Sequence, residues 1–244
     1  MAPRWRDGGL ALATCLGLVL GGAMVALSLM DVASGSTVSA TARDKADPGC
    51  CTSMVPGLAD ALATTPTKVA ERRGLGPPDA KVQIVVYNDF QCPHCYELHR
   101  GAEAEIVERY VKTGQAHLEV RQFAVMGPES VRAAEATLCA ADQGRFWEYR
   151  DAVFSAWRQG GYRGYSTYSA AGVRAVADQV GLDRGAFDSC LDSGVRRAEV
   201  EEDVRKGKAE GVSVVPTVFV NGRQVAGTRP FEVYAQIIEE ELAK

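Results

Sequence analysis

An α/β fold with an inserted all-helical subdomain, preceded by one N-terminal transmembrane helix, is what the 244-residue sequence predicts. Three observations predict it. An uncharged apolar stretch lies near the start, a β-branched run leads straight into a Cys-x-x-Cys helix, and a proline-bearing strand, a hairpin and a helix close the chain. Between the last two the periodicity is helical. At 46% hydrophobic and 24% charged, the chain can bury a sizeable core. Its 27 Lys and Arg stand against 31 Asp and Glu, a formal net charge of -4. That balance excludes the broad cationic face that phosphate-backbone recognition needs, so no nucleic-acid partner is expected.

Residues Gly8 to Met30 carry no charged side chain. As a helix they span about 34 Å at about 1.5 Å per residue, enough for a bilayer core of about 30 Å. Arg4 and Arg6 precede this stretch and Asp31 follows it. The positive-inside bias therefore puts residues 1–7 in the cytoplasm and everything after Met30 outside, periplasmic or on the cell surface. A cleaved signal peptide is the competing reading. The apolar stretch exceeds a typical signal core, however, and the Ala40-Thr41-Ala42 site lies well beyond its end, which favours an uncleaved single-pass anchor at 8–30. Cys15 within it reads as a small apolar packing residue. Residues 31–74, rich in Ser, Thr, Ala, Pro and Gly, read as a tether with a short helical pattern over Gly57 to Ala63. The folded domain is expected over 75–244.

Lys81 to Tyr87 is β-branched and nearly continuous in apolar character, the pattern of a strand buried on both faces. After Asn88-Asp89-Phe90-Gln91 comes Cys92-Pro93-His94-Cys95, followed by Leu98, Ala102, Ile106 and Tyr110 at four-residue spacing, until Thr113-Gly114 stops the pattern. Pro93 falls in the first helical turn, where its missing N–H costs nothing. Cys92 thus sits at a helix N-terminus, whose unpaired N–H groups and dipole stabilise a thiolate. Cys95 lies one turn deeper and can reach the same sulfur. A Cys92 with lowered pKa is the accessible nucleophile; each unit of lowering favours the reduced pair by about 1.4 kcal/mol, or about 30 mV, which makes the disulfide oxidising. His94 adds a donor and a positive charge near Cys92. A local structural disulfide or half of a zinc site is the bland alternative, and no second Cys-x-x-Cys or His pair supports zinc.

A second strand is expected over His117 to Val125. From Pro128 to about Gly211 the apolar positions Val131, Ala134 and Leu138, then Phe146, Tyr149, Val153 and Trp157, then Val173, Val176 and Val180, recur at helical spacing. This is the all-α insert, and it contains Cys139 and Cys190. Ser213 to Val220 is a strand interrupted by Pro216, Asn221-Gly222 offers a type I′ turn into Arg223 to Ala226, and Pro230 opens a helix with Phe231, Tyr234, Ile237, Ile238 and Leu242 on one face.

On Asp89-Phe90-Gln91-Cys92-Pro93-His94-Cys95, on Val215-Pro216-Thr217 and on the helical insert between them, the stretch from about Leu75 to Lys244 resembles the DsbA family of thiol oxidases, thioredoxin-fold proteins with a helical insertion. The resemblance implies a dithiol oxidase that introduces disulfides into exported polypeptides, with Cys92, Pro93, His94 and Cys95 as the catalytic motif. It also implies a cis Val215–Pro216 bond facing the cysteines, with Val215, Pro216 and Thr217 holding an extended substrate segment. A quinone-linked membrane reoxidant of the DsbB or vitamin-K-epoxide-reductase type would be the partner. No dissociable cofactor and no metal are called for, and a monomer is expected. An oxidising compartment and the resemblance together imply a structural Cys139–Cys190 bridge. One departure matters: many relatives carry a glutamate six residues before the first cysteine, where this chain has Val86, so proton handling at Cys95 falls to Asp89 or to water.

A reductase or isomerase of the same fold remains the nearest alternative, and a copper-binding thiol protein using Cys92, Cys95 and the adjacent Cys50-Cys51 pair is another. Other features read blandly. His99 is expected at a solvated helix position, His117 in a strand, Tyr162, Tyr165 and Tyr168 in a mobile helix connection, and Glu199, Glu201, Glu202, Asp203 and Glu239 to Glu241 on solvated faces.

Overall fold

The computed structural model describes residues 72–160 and 166–244. The predicted span 8–30, Cys15, Cys50, Cys51, the tether up to Glu71, and Tyr162 and Tyr165 lie outside the described residues. Among the described residues no helix is long and apolar enough to cross a membrane.

Five strands form one mixed sheet: β1 (Gly74–Leu75), β2 (Val82–Asn88), β3 (Ala116–Gln122), β4 (Thr217–Val220) and β5 (Arg223–Ala226), in the order β1-β3-β2-β4-β5. β2 runs parallel to β3, from Val82 opposite Ala116 to Asn88 opposite Gln122, and antiparallel to β4. A parallel pair needs a crossover, and the chain between β2 and β3 is helical. This central position explains the nearly unbroken apolar run of β2, in which Val82, Ile84, Val86 and Tyr87 are all buried. Asn221 (φ 46°) and Gly222 (φ 82°) make the left-handed turn between β4 and β5 that the Asn-Gly pair predicts.

The crossover helix starts as α1 (Pro93–Leu98) and continues through a π-helical turn (His99–Glu103), a short α-helical piece (Ala104–Ile106) and a second π-helical turn (Val107–Val111). Non-helical backbone at Gly101 kinks it. Apolar residues spaced by four drift off one face of a 3.6-residue helix, and the wider π turns keep Leu98, Ala102, Ile106 and Tyr110 against the sheet.

The insert comprises α2 (Pro128–Asp142), α3 (Phe146–Gln159), α4 (Ala170–Val180), α5 (Arg184–Ser193) and α6 (Arg197–Ala209); α7 (Phe231–Leu242) closes the fold. Ser169 and Asp183 cap the starts of α4 and α5 with side-chain oxygens, and left-handed Gly181 and Gly194 end them. Cys139 of α2 and Cys190 of α5 are joined in a disulfide. One core lies between the sheet, the crossover helix and α7. A second, under the insert, contains Phe90, Cys92, Cys95, Cys139, Phe154 and Phe187. On the opposite sheet face Gly207 of α6 meets Phe123 so closely that a Cβ would stand 2.7 Å from its ring.

Several bland expectations need correction. The folded part begins before residue 75: Gly74 already pairs with Glu119 in the sheet, Arg72 is bound to Asp142 and Glu199, and Arg73 to Asp203. Asp203 is not on a solvated face; it is buried, because it also receives the Gln122 N–H at 2.9 Å. Tyr168 is buried, its hydroxyl donating to the Phe90 carbonyl at 2.5 Å. Glu241, too, is buried, beside Asn221 and Lys244.

Candidate active site

β2 delivers the chain to Asp89, whose carboxylate organises the loop that follows. It accepts the N–H groups of Gln91 (2.9 Å), Val125 (2.8 Å) and Met126 (3.0 Å) and the hydroxyl of Ser130 (2.5 Å). Four donors tie the β2 exit, the β3 exit and the start of α2 to one side chain. This loop places Cys92 as the N-cap of α1 with extended backbone (φ -86°, ψ 115°), Pro93 opening the helix and the Cys92 carbonyl accepting the N–H groups of Cys95 and Tyr96.

From the other half of the chain, the Val215–Pro216 peptide bond is cis, and the Val215 carbonyl oxygen lies 3.4 Å from the Cys92 sulfur, close enough to accept from it only when Cys92 is protonated. Thr217 turns its hydroxyl back to Val214 O at 2.7 Å, while Thr228 reaches the His94 carbonyl at 2.8 Å. The fold thus gathers Cys92, Cys95, Val215 and Pro216 at one place, although Cys92 and Val215 lie 123 positions apart in the chain.

Cys92 and Cys95 are free thiols with opposite electrostatics. The Cys95 thiol donates to the Cys92 sulfur, and with the N–H groups of Cys95 and His94 and the charge of His94 this outweighs burial, lowering Cys92 to about 6 from an ordinary 9.0. Burial, and then the neighbouring Cys92 sulfur, push Cys95 well above its ordinary value. The Asp89 N–H, 3.4 Å from the Cys95 sulfur, pulls only weakly against them. Accessibility separates the two less than a helix-terminal position suggested: Cys92 is 5% exposed and Cys95 1%. The Val215 carbonyl, two residues before β4, lies against the first sulfur.

His94 is exposed, and its ring lies 3.1 Å from Glu97; its backbone N–H reaches Cys92, and its charge is the smallest of the influences that lower that thiol. Asp89 does not fit the role of proton carrier either, because its two oxygens are already engaged by four donors. Val86 is buried in the core.

One constellation was missed. His99 is not solvated but buried one turn beyond Cys95, with Nδ1 3.2 Å from Glu103 and Nε2 2.6 Å from Asp151. Arg150 of α3 grips Glu103 with both guanidinium nitrogens at 2.5 and 2.9 Å. Burial pushes Glu103 up, but Arg150 and His99 overcome it and hold the carboxyl at about 2. Burial and Arg150 pull His99 down, and Asp151 and Glu103 overcome them, leaving it raised. The i, i+4 spacing of His99 and Glu103 was a visible signal; the partners from α3 were not. Among the described residues no group of three or more His, Cys, Asp or Glu side chains is placed to hold a metal ion.

A family model described as thioredoxin matches residues 68–240. Among curated proteins, the Na(+)/H(+) antiporter NhaA 1 of Salinispora arenicola is 30% identical over 172 residues, covering 69% of this chain and 24% of that one. The chain thus spans about a quarter of the antiporter's length. Disulfide bond formation protein D of Bacillus subtilis is 23% identical over 177 residues, 69% of this chain and 76% of that protein. Among solved structures, alpha-DsbA1 of Wolbachia pipientis superposes with a TM-score of 0.62 at 20% identity, covering 70% of this chain and 90% of the other. At that identity the likeness shows the fold, a thioredoxin fold with the helical insertion.

Proposed function

The chain belongs to the thioredoxin family, matched over residues 68–240, and from that premise we propose that it is a DsbA-like thiol:disulfide oxidoreductase working as a dithiol oxidase on exported polypeptides. The observation that carries the reading is the asymmetry of the pair: Cys92 lowered to about 6 at the helix start, Cys95 raised behind it, and Val215–Pro216 facing the first sulfur. In the disulfide form a substrate thiolate attacks Cys92 Sγ and forms a mixed disulfide, while Cys95 leaves with the electron pair. A second substrate thiolate then attacks the substrate sulfur, Cys92 leaves as the stable thiolate, and the dithiol enzyme is released. The backbone at Val215 to Thr217 would hold an extended substrate segment, and the exposed side chains of Val125, Met126 and Val214, on segments joined to Asp89 and Val215, would face its apolar residues.

The uncharged stretch 8–30 supports a single-pass anchor that holds this domain outside the cytoplasm, with a quinone-linked membrane protein as reoxidant and residues 31–71 as the tether. The disulfide formation activity in the name of the Bacillus relative fits this direction. The transport activity named for the antiporter relative is not carried over, since the chain matches 24% of that protein.

The test is a Cys95→Ser variant incubated with a disulfide-linked thiol reagent and a reduced peptide, alongside turnover by the parent chain. The reading expects the variant to accumulate mixed disulfides at Cys92 and the parent to oxidise the peptide dithiol. Labelling at mildly acidic pH that favours Cys95 over Cys92 would refute the assignment.

A further inference from the structure

Asn88 and Gln122 end β2 and β3 as register partners. Alternation puts both side chains on the face that carries Val86 and Val120, toward the crossover helix. Each residue is 1% exposed. Their backbones are paired, Asn88 O with the Phe123 N–H at 2.8 Å and the Gln122 N–H with Asp203 at 2.9 Å. Their side chains are not: Asn88 Nδ2 and Oδ1 and Gln122 Nε2 and Oε1 are all buried, and none of them has a hydrogen-bond partner among the described residues. Two carboxamides side by side with four unmet atoms work against stability, and leucine and methionine of the same shape would fill the space without that penalty. Departures of this kind concentrate at functional sites.

The place matters. Asn88 adjoins Asp89, whose N–H meets the Cys95 sulfur at 3.4 Å. Cys95 is buried, and thiol exchange requires it to gain a proton when it leaves Cys92 and to lose it on reoxidation. The nearby titratable groups have partners already. Asp89 is held by four donors, Asp203 by Arg73 and the Gln122 N–H, and His99, one turn beyond Cys95, lies between Glu103 and Asp151. A carboxamide offers both a donor and an acceptor, and a buried water needs two to four such polar partners.

We propose that Asn88 and Gln122 hold water between the ends of β2 and β3 and the Cys92–Cys95 turn, and that this water passes the proton to and from Cys95. The inference rests on the thiol:disulfide exchange proposed above. As the substrate thiolate bonds to Cys92 and the Cys92–Cys95 bond breaks, the electron pair goes to Cys95, which takes a proton from the water. The water is reprotonated from solvent, into which the substrate thiol released its proton on ionising. Reoxidation runs the same path in reverse. Asn88 and Gln122 act through water and are positioning residues.

The experiment compares Asn88→Leu, Gln122→Met, the double variant and the polar control Asn88→Ser, all in the full chain. Thermal midpoint, Cys92 alkylation against pH, and single-turnover exchange with a reduced peptide dithiol in H2O and D2O are measured. The apolar variants should melt at or above the parental midpoint with unchanged Cys92 titration, while exchange in the double variant slows by about a hundredfold, the lower range for positioned proton transfer. Its solvent isotope effect should grow, and Asn88→Ser should keep most of the parental rate. Parental rate and isotope effect in the double variant would overturn the relay, as would a fall in midpoint that Asn88→Ser shares without any change in isotope effect. Failure of the parent chain to exchange at all would refute the functional reading instead, so the two failures are distinguishable.

Discussion

Replacing Arg150 with Met isolates the energetics of the buried His99, Glu103, Arg150 and Asp151 quartet that joins the crossover helix to α3. Arg150 is fully buried and makes a two-pronged contact with Glu103. Removing one partner of a buried pair costs about 3 to 5 kcal/mol, and without Arg150 the Glu103 carboxylate keeps only His99 beside it. The carboxyl of Glu103 gives a second route to the magnitude. Arg150 and His99 together hold it at about 2 against an ordinary 4.5, a displacement worth about 3 kcal/mol in which Arg150 is the largest lowering influence. The depressed carboxylate contributes its stability above pH 4.5, and that contribution is lost as pH falls from 4.5 through about 2. His99 is raised, so its contribution is complete below 6.5 and is lost as pH rises through its higher folded value. The quartet therefore stabilises most between about pH 4.5 and 6.5. Urea melts at a series of pH values should show the Arg150→Met deficit of about 3 to 5 kcal/mol at pH 6, narrowing toward pH 2.5 as Glu103 accepts a proton. A variant within about 0.5 kcal/mol of the parent at pH 6, the ordinary range for surface substitutions, or a deficit that stays constant down to pH 2.5, would refute this reasoning.

Three further outcomes follow from the site. Cys95→Ala removes the hydrogen bond that does most to hold Cys92 down; a bond to a charged group is worth about 1.5 to 3 kcal/mol, so alkylation should report Cys92 about one to two pH units higher, while Cys95→Ser should stay closer to the parent. His94→Ala should move the potential by less than about 30 mV, because its exposed ring faces Glu97, and a larger drop would show that the ring charge governs the thiolate. Cys139→Ala with Cys190→Ala opens a link across 51 positions, which denaturant melting should register as a loss of about 2 to 5 kcal/mol with exchange activity retained.

The order of elements was legible because each carries its own local signal. The apolar run of β2, Pro93 behind Cys92, Asn221-Gly222 and the helical repeats of the insert all state their structure within a few residues. The cysteine pair was legible for the same reason, whereas a cis Val215–Pro216 bond facing it was implied by the resemblance to the DsbA family, since the local pattern left an edge or a bulge open as well. What escaped depends on partners distant in sequence. His99 looks solvated until Asp151 and Arg150 arrive from α3, Asp203 looks like part of an acidic face until Arg73 and the Gln122 N–H claim it, and Arg72 to Gly74 look like tether until β3 and α6 receive them. His94 shows the converse: its place between the cysteines was plain, but the direction of its ring is set by Glu97 one turn on.

The central claim is that Cys92 is ionised and Cys95 protonated in the reduced chain near neutral pH. Equilibrating the Cys92–Cys95 couple with glutathione from pH 5 to 8 tests it directly, because a two-electron potential falls by about 30 mV per pH unit for each proton that reduction takes up. With Cys92 at about 6 and Cys95 well above the ordinary range, the slope should be about 59 mV per unit below pH 6, where two protons are taken up, and should halve to about 30 mV above it. A straight line at about 59 mV per unit through pH 8 would mean that both thiols keep their protons, and would contradict the account.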